Sequence, residues 1–97
     1  MGLIDIDWRD MMKKADTLDE VAADLQRTIN NQMARMQAGA RNNWQGTAAD
    51  LYRNRARTLT QKAQQERNSV KKMASDLRAA ARRYRDLEAM ANNIFGN

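Results

Sequence analysis

Apolar residues return at alternating steps of four and three along most of this 97-residue chain, and no proline interrupts them. That spacing keeps one face of an α-helix in line turn after turn. The lack of proline removes the residue that most readily kinks or ends a helix. In the first half the pattern reads Met11, Ala15, Leu18, Ala22, Leu25, Ile29, Gln32 and Met36, with Val21 and Met33 widening it. In the second half it reads Tyr52, Ala56, Leu59, Ala63, Glu66, Val70, Met73, Leu77, Ala80, Tyr84, Leu87, Ala91 and Ile94. Two long amphipathic helices follow, and the chain is expected to be all-α, in one domain covering residues 1–97. Composition agrees, because aromatic and β-branched residues are few while Ala, Arg, Gln, Leu and Met are plentiful.

Local signals place the ends. Asp7 is suited to cap helix one, with Asp10 at the third position and Ile6 placed to staple against Met11. Helix one is expected over about residues 7–40, closing near Gly39 and Ala40. Thr47 followed by Asp50 resembles a capping box with Asp in place of Glu, which starts helix two at Ala48. Helix two covers about residues 47–93 with its cap, before a short C-terminal tail. The connection, Arg41-Asn42-Asn43-Trp44-Gln45-Gly46, is six residues long. A link of that length makes the helices antiparallel neighbours. Reflection about residue 44 then brings position i near position 88 − i, so residues 10–24 face roughly residues 67–78.

Charge supports that alignment. Residues 1–40 carry five basic and seven acidic side chains, a net of −2, whereas residues 41–97 carry twelve and five, a net of +7. Exposed pairs are worth only ~0–1 kcal/mol each, so the apolar stripes decide stability and the charges help select alignment. Gln32 and Glu66 interrupt the stripes and read as edge positions. Both stripes are wider than one neighbouring helix can cover. A second hairpin packed on the first resolves this, giving a four-helix-bundle dimer.

The residue inventory excludes much chemistry. Cysteine and histidine are absent, which removes thiolate nucleophiles, disulfides, the usual proton shuttle and the commonest metal ligands. No phosphate loop or metal spacing occurs, so no catalytic residue, metal or cofactor is expected and the chain does not read as an enzyme. The seven methionines suit adaptable core filling. The N-terminus lacks the basic and apolar regions of a cleaved signal peptide, and no apolar run could span a bilayer. Arg78, Arg82, Arg83 and Arg85 form a basic patch late in helix two, read first as a solvated face. A basic nucleic-acid-binding helical module is the second functional reading, opposed by the lack of a recognisable motif and of stacking aromatics. Association of an amphipathic helix with a membrane surface is a third, opposed by the alanine-rich stripes.

Trp44 is a bulky apolar residue in a polar turn, with Gly46 two positions on. The indole could close the end of a bundle or dock a partner, and Gly46 could supply a backbone angle that the turn requires. Trp-x-Gly midway along a chain of about one hundred residues, between two amphipathic helices, resembles the WXG-hundred family. These are the helical-hairpin substrates of type VII (ESX) secretion, related to the early secreted antigenic target proteins. A second motif of that family is Tyr-x-x-x-Asp/Glu near the end of helix two, matched by Tyr84 and Glu88, whose spacing puts phenol and carboxylate on one helix face. The resemblance implies that Trp44 and Gly46 of one subunit meet Tyr84 and Glu88 of its partner, as a composite mark for the secretion ATPase. It further implies export from the bacterial cytoplasm without a cleaved signal. The partner would be a second copy or a related helical-hairpin protein, with a larger secreted substrate as a further partner. Many relatives are acidic whereas this chain is basic, which leaves an acidic heterodimer partner open. Possession of both motifs by one chain inclines the reading toward a homodimer.

Overall fold

The computed structural model describes residues 6–41 and 45–95, with side chains for 6–39 and 45–94. Two helices make up the fold, α1 (Trp8–Arg41) and α2 (Thr47–Phe95), with no strand among the described residues. The class is all-α, a two-helix hairpin, as the periodicity predicts.

Asp7 caps α1: its carboxylate accepts the Arg9 N–H at 2.9 Å and its carbonyl accepts the Met11 N–H at 3.2 Å. These bonds satisfy donors that a helix start otherwise leaves open. Lys14 pairs with Asp10 one turn on at 3.1 Å, and the Arg9 guanidinium lies 4.4 Å from the centre of the Trp8 ring. The start of α2 corrects the expected capping box. The Gly46 carbonyl accepts the Asp50 N–H at 3.0 Å, so the cap is Gly46 and the helix begins at Thr47. The end of α1 falls at Arg41, within one residue of the expected bound, with Gly39 inside the helix.

The chain divides into two compact units, Val21–Ser69 and Met1–Glu20 with Val70–Asn97. In Val21–Ser69, Ala22 and Ile29 of α1 and Ala49 and Ala56 of α2 are buried. Arg67 donates a hydrogen bond to the Gln26 side-chain oxygen across the helices. Thr60 is buried in the same unit, and its hydroxyl has no partner among the described residues. The exposed threonines 17, 28 and 58 instead donate to the carbonyl four residues earlier. Thr60→Val removes an unsatisfied polar group at almost constant shape, so it should stabilise the protein by about 1 kcal/mol. Thermal unfolding should then move up by several degrees; a fall would show that the hydroxyl is satisfied in solution.

In the other unit Ala15, Ala74 and Ala81 are fully buried, with Leu18, Leu77 and Tyr84 half-buried. Arg78 reaches from α2 to Asp16 at 2.7 Å and Asp19 at 2.5 Å on α1. Hydrogen bonds to Asp19 and then Asp16 raise the guanidinium pKa above its ordinary value, so Arg78 stays charged wherever the protein is folded. The acidic stretch of helix one does meet a basic residue of helix two, but not in the predicted register. Reflection about residue 44 places 62 beside 26 and 10 beside 78. The contacts are Arg67 with Gln26 and Arg78 with Asp16 and Asp19, roughly one and a half to two and a half turns away. A short link sets the direction of return and leaves the stagger to side-chain packing.

The four-and-three positions of the predicted α1 stripe from Met11 to Met36 are all buried or half-buried. Val21 and Met33, expected to widen it, are exposed at 42% and 44%, because the single helix packed against α1 within each unit covers only a narrow face. The α2 stripe needs correction. Its buried and half-buried residues include Ala49, Arg53, Ala56, Thr60, Ala63, Arg67, Val70, Ala74, Leu77, Ala81, Tyr84, Glu88 and Ala91. This seam keeps the expected spacing and shares Ala56, Ala63, Val70, Leu77, Tyr84 and Ala91 with the predicted one. Its alternate positions fall one residue later, so Leu59 (62% exposed), Met73 (55%), Leu87 (48%) and Ile94 (70%) are left outside. Among the described residues, six of the seven buried apolar ones are alanine. Alanine lets two helices approach closely, while leucine or methionine at the same points would force them apart.

Candidate functional site

The motif residues rest on different elements. Gly46 opens α2 with a φ of +108°, and a Cβ built there would meet nothing within 4 Å. Space is therefore not the constraint. That backbone angle lies in the region L side chains avoid, which costs them about 1 kcal/mol or more. Gln45, Gly46 and Thr47 are exposed, and Ala49 one turn later is fully buried, which fixes the start of α2 against its unit. Trp44 lies outside the described residues, as do Asn42 and Asn43.

Tyr84 and Glu88 are half-buried on the α2 seam, and neither makes a hydrogen bond or ion pair among the described residues. Their one-turn spacing puts both on one helix face, in a row that includes the buried Ala81. Glu88 is thus a seam residue, although the apolar four-and-three pattern of helix two did not include it. Asp86 is exposed and contacts Arg85 at 3.3 Å, so Glu88 is the acid that shares Tyr84's face. Gly46 belongs to the unit Val21–Ser69, and Tyr84 and Glu88 belong to the other.

The sequence reading missed the status of Leu59, Met73, Leu87 and Ile94. With Tyr52, at 40% exposure, they recur at multiples of seven residues, which puts Tyr52 and Leu59 on one face of α2 in the unit Val21–Ser69 and Met73, Leu87 and Ile94 on one face of it in the other. Near the start of α2, Leu51, Asn54, Arg55, Thr58 and Leu59 border a shallow recess on the helix surface. The available signal was the recurrence of alanine in a second four-and-three pattern overlapping the first. Among the described residues no group of three acidic, histidine or cysteine side chains could hold a metal ion. No described helix is long and apolar enough to cross a membrane.

An alanine seam inside the chain and bulky apolar residues outside it define a small helical hairpin suited to contact other helices. The chain belongs to the WXG100 family, described as proteins of 100 residues with WXG, whose family model matches residues 3–89. Members are small secreted helical proteins of type VII secretion that form dimers with partners; they are not enzymes. Comparison with curated proteins and with solved structures gave no match.

Proposed function

We propose that this chain is a non-enzymatic type VII secretion substrate that pairs through the exposed apolar residues of α2 into a four-helix bundle. The family match over residues 3–89 carries the reading, because it spans the turn and nearly all of both helices. The bulky residues left outside the seam support it, since each, already partly covered, gains roughly half of the ~1.5–3 kcal/mol of full burial when a partner covers it. Trp44 and Gly46 then act with Tyr84 and Glu88 of the partner subunit as the mark read by the secretion ATPase. The half-buried phenol and carboxylate suit such a role, being held on a helix without using their hydrogen-bonding capacity. Export proceeds without a cleaved signal peptide, and a larger substrate travels with the dimer.

Trp44→Ala, or removal of residues 84–97, should leave a helical protein in the producing cell and take it from the culture medium. Secretion of both variants at the normal level would rule the export mark out. One observation favours a second reading: Lys62, Lys71, Arg82 and Arg83 of α2 have no acidic partner among the described residues. If they serve nucleic acid, duplex DNA or RNA should bind at low salt and be released steeply as salt rises. A flat mobility-shift titration would remove that alternative.

A further inference from the structure

Both methionines of α2, Met73 and Met90, lie outside its seam, 55% and 59% exposed. They belong to the unit formed by Met1–Glu20 with Val70–Asn97, whose buried residues, among those described, are Ala15, Ala74 and Ala81. Met90 stands three residues after Leu87 and four before Ile94, which are also exposed, so the three share one helix face. The methionines that α1 brings to this unit, Met11 and Met12, are half-buried.

An exposed thioether is open to peroxides, and the chain has no cysteine to compete for them. One oxygen of hydrogen peroxide passes to sulfur. The S–O bond forms as the O–O bond breaks, sulfur gives up two electrons, and the other oxygen takes the remaining proton and leaves as water. The product, methionine sulfoxide, is polar and chiral where the thioether was apolar. In a core filled by methionine that change loosens the fold. Here the buried contact of the unit is made by alanine methyl groups, which peroxide leaves untouched. The change therefore falls on the outer face of α2.

We propose that Met73 and Met90 are a peroxide-sensitive modification site, at which oxidation turns this face of α2 polar and closes it to a partner while the hairpin stays folded. The effect on assembly rests on the proposed pairing through α2; the site itself rests on exposure and on the alanine seam. Oxidation acts on the unpaired chain, because a partner seated on the face covers the sulfur. A methionine sulfoxide reductase, drawing electrons from a thiol, restores the thioether.

The test treats the whole chain with graded hydrogen peroxide at low protein concentration and follows oxygen added at each methionine by peptide mass spectrometry. Met73 and Met90 should be modified several-fold faster than the half-buried Met11, Met12 and Met36. Met33, at 44% exposure in the other unit, gives the reference rate for an open thioether. Protein with sulfoxide at Met73 and Met90 should keep its helical circular dichroism. Light scattering over a dilution series should show it associating about tenfold or more weakly. Met73→Leu with Met90→Leu keeps the face apolar without sulfur, so it should associate normally before and after the same treatment. Equal rates at buried and exposed methionines, or loss of helix in step with oxidation at Met73 and Met90, would overturn the site. Unchanged association of the sulfoxide form, beside an untreated chain that does associate, would overturn the effect on assembly and leave pairing through α2 intact. An untreated chain that stays monomeric at every concentration would overturn pairing between copies, and the site would still stand or fall on the measured rates.

Discussion

Ile29→Ala is expected to destabilise the protein by about 2–4 kcal/mol, more than any other single truncation among the described residues. Ile29 is 1% exposed and is the only large side chain buried completely among the described residues; the other buried apolar residues there are alanines. Truncation there deletes the bulk of a packed side chain between two long helices, which can close the gap only by moving together. An alanine of the same seam contributes one methyl group, about 0.8 kcal/mol. For a chain this short, total stability is on the order of 5–15 kcal/mol, so the loss is a large fraction. The unfolding midpoint followed by circular dichroism should fall by at least ~10 °C at fixed protein concentration. A shift no larger than that of an exposed substitution would mean that Ile29 does not anchor the seam.

Leu59→Asn combined with Leu87→Asn is expected to do the reverse, sparing the single chain and weakening assembly. These leucines are 62% and 48% exposed, so the isolated hairpin loses little when they become polar. If a partner buries what is exposed of them, each forfeits roughly half of the ~1.5–3 kcal/mol of full burial, and together they weaken association by at least about tenfold. Melting at the lowest concentrations should be unchanged, while the rise of melting temperature with concentration moves to higher concentration. This result also separates the two possible α2 seams. Were Leu59 and Leu87 packed against α1, as the larger apolar residues of the sequence suggest, the variant would melt early at every concentration.

The helices and their order were legible because a four-and-three apolar rhythm without proline has few other folded solutions. Asp7 was legible as a cap because a carboxylate there accepts the Arg9 N–H. The cap of α2 was not. Thr47 and Asp50 fit the pattern of a capping box, but the positive φ of Gly46 turns its own carbonyl into the first helical acceptor. For the candidate site, Gly46, Tyr84 and Glu88 were singled out by their resemblance to the motifs of the WXG-hundred family, since spacing alone gives only a shared helix face. The half-buried setting of Glu88 required the seam to be known first.

By itself the sequence determined the central line of one helix face, the α1 stripe from Met11 to Met36, although Val21 and Met33, expected to widen it, stay exposed. In α2 two registers overlap at Ala56, Ala63, Val70, Leu77, Tyr84 and Ala91, and hydropathy prefers the one with Leu59, Met73 and Leu87. Only tertiary structure chose the other, because close approach of two helices selects small residues such as Ala74 and Ala81. The stagger that sets Arg67 on Gln26 and Arg78 between Asp16 and Asp19 was decided the same way. Loop length constrains direction, whereas register follows from which side chains interlock.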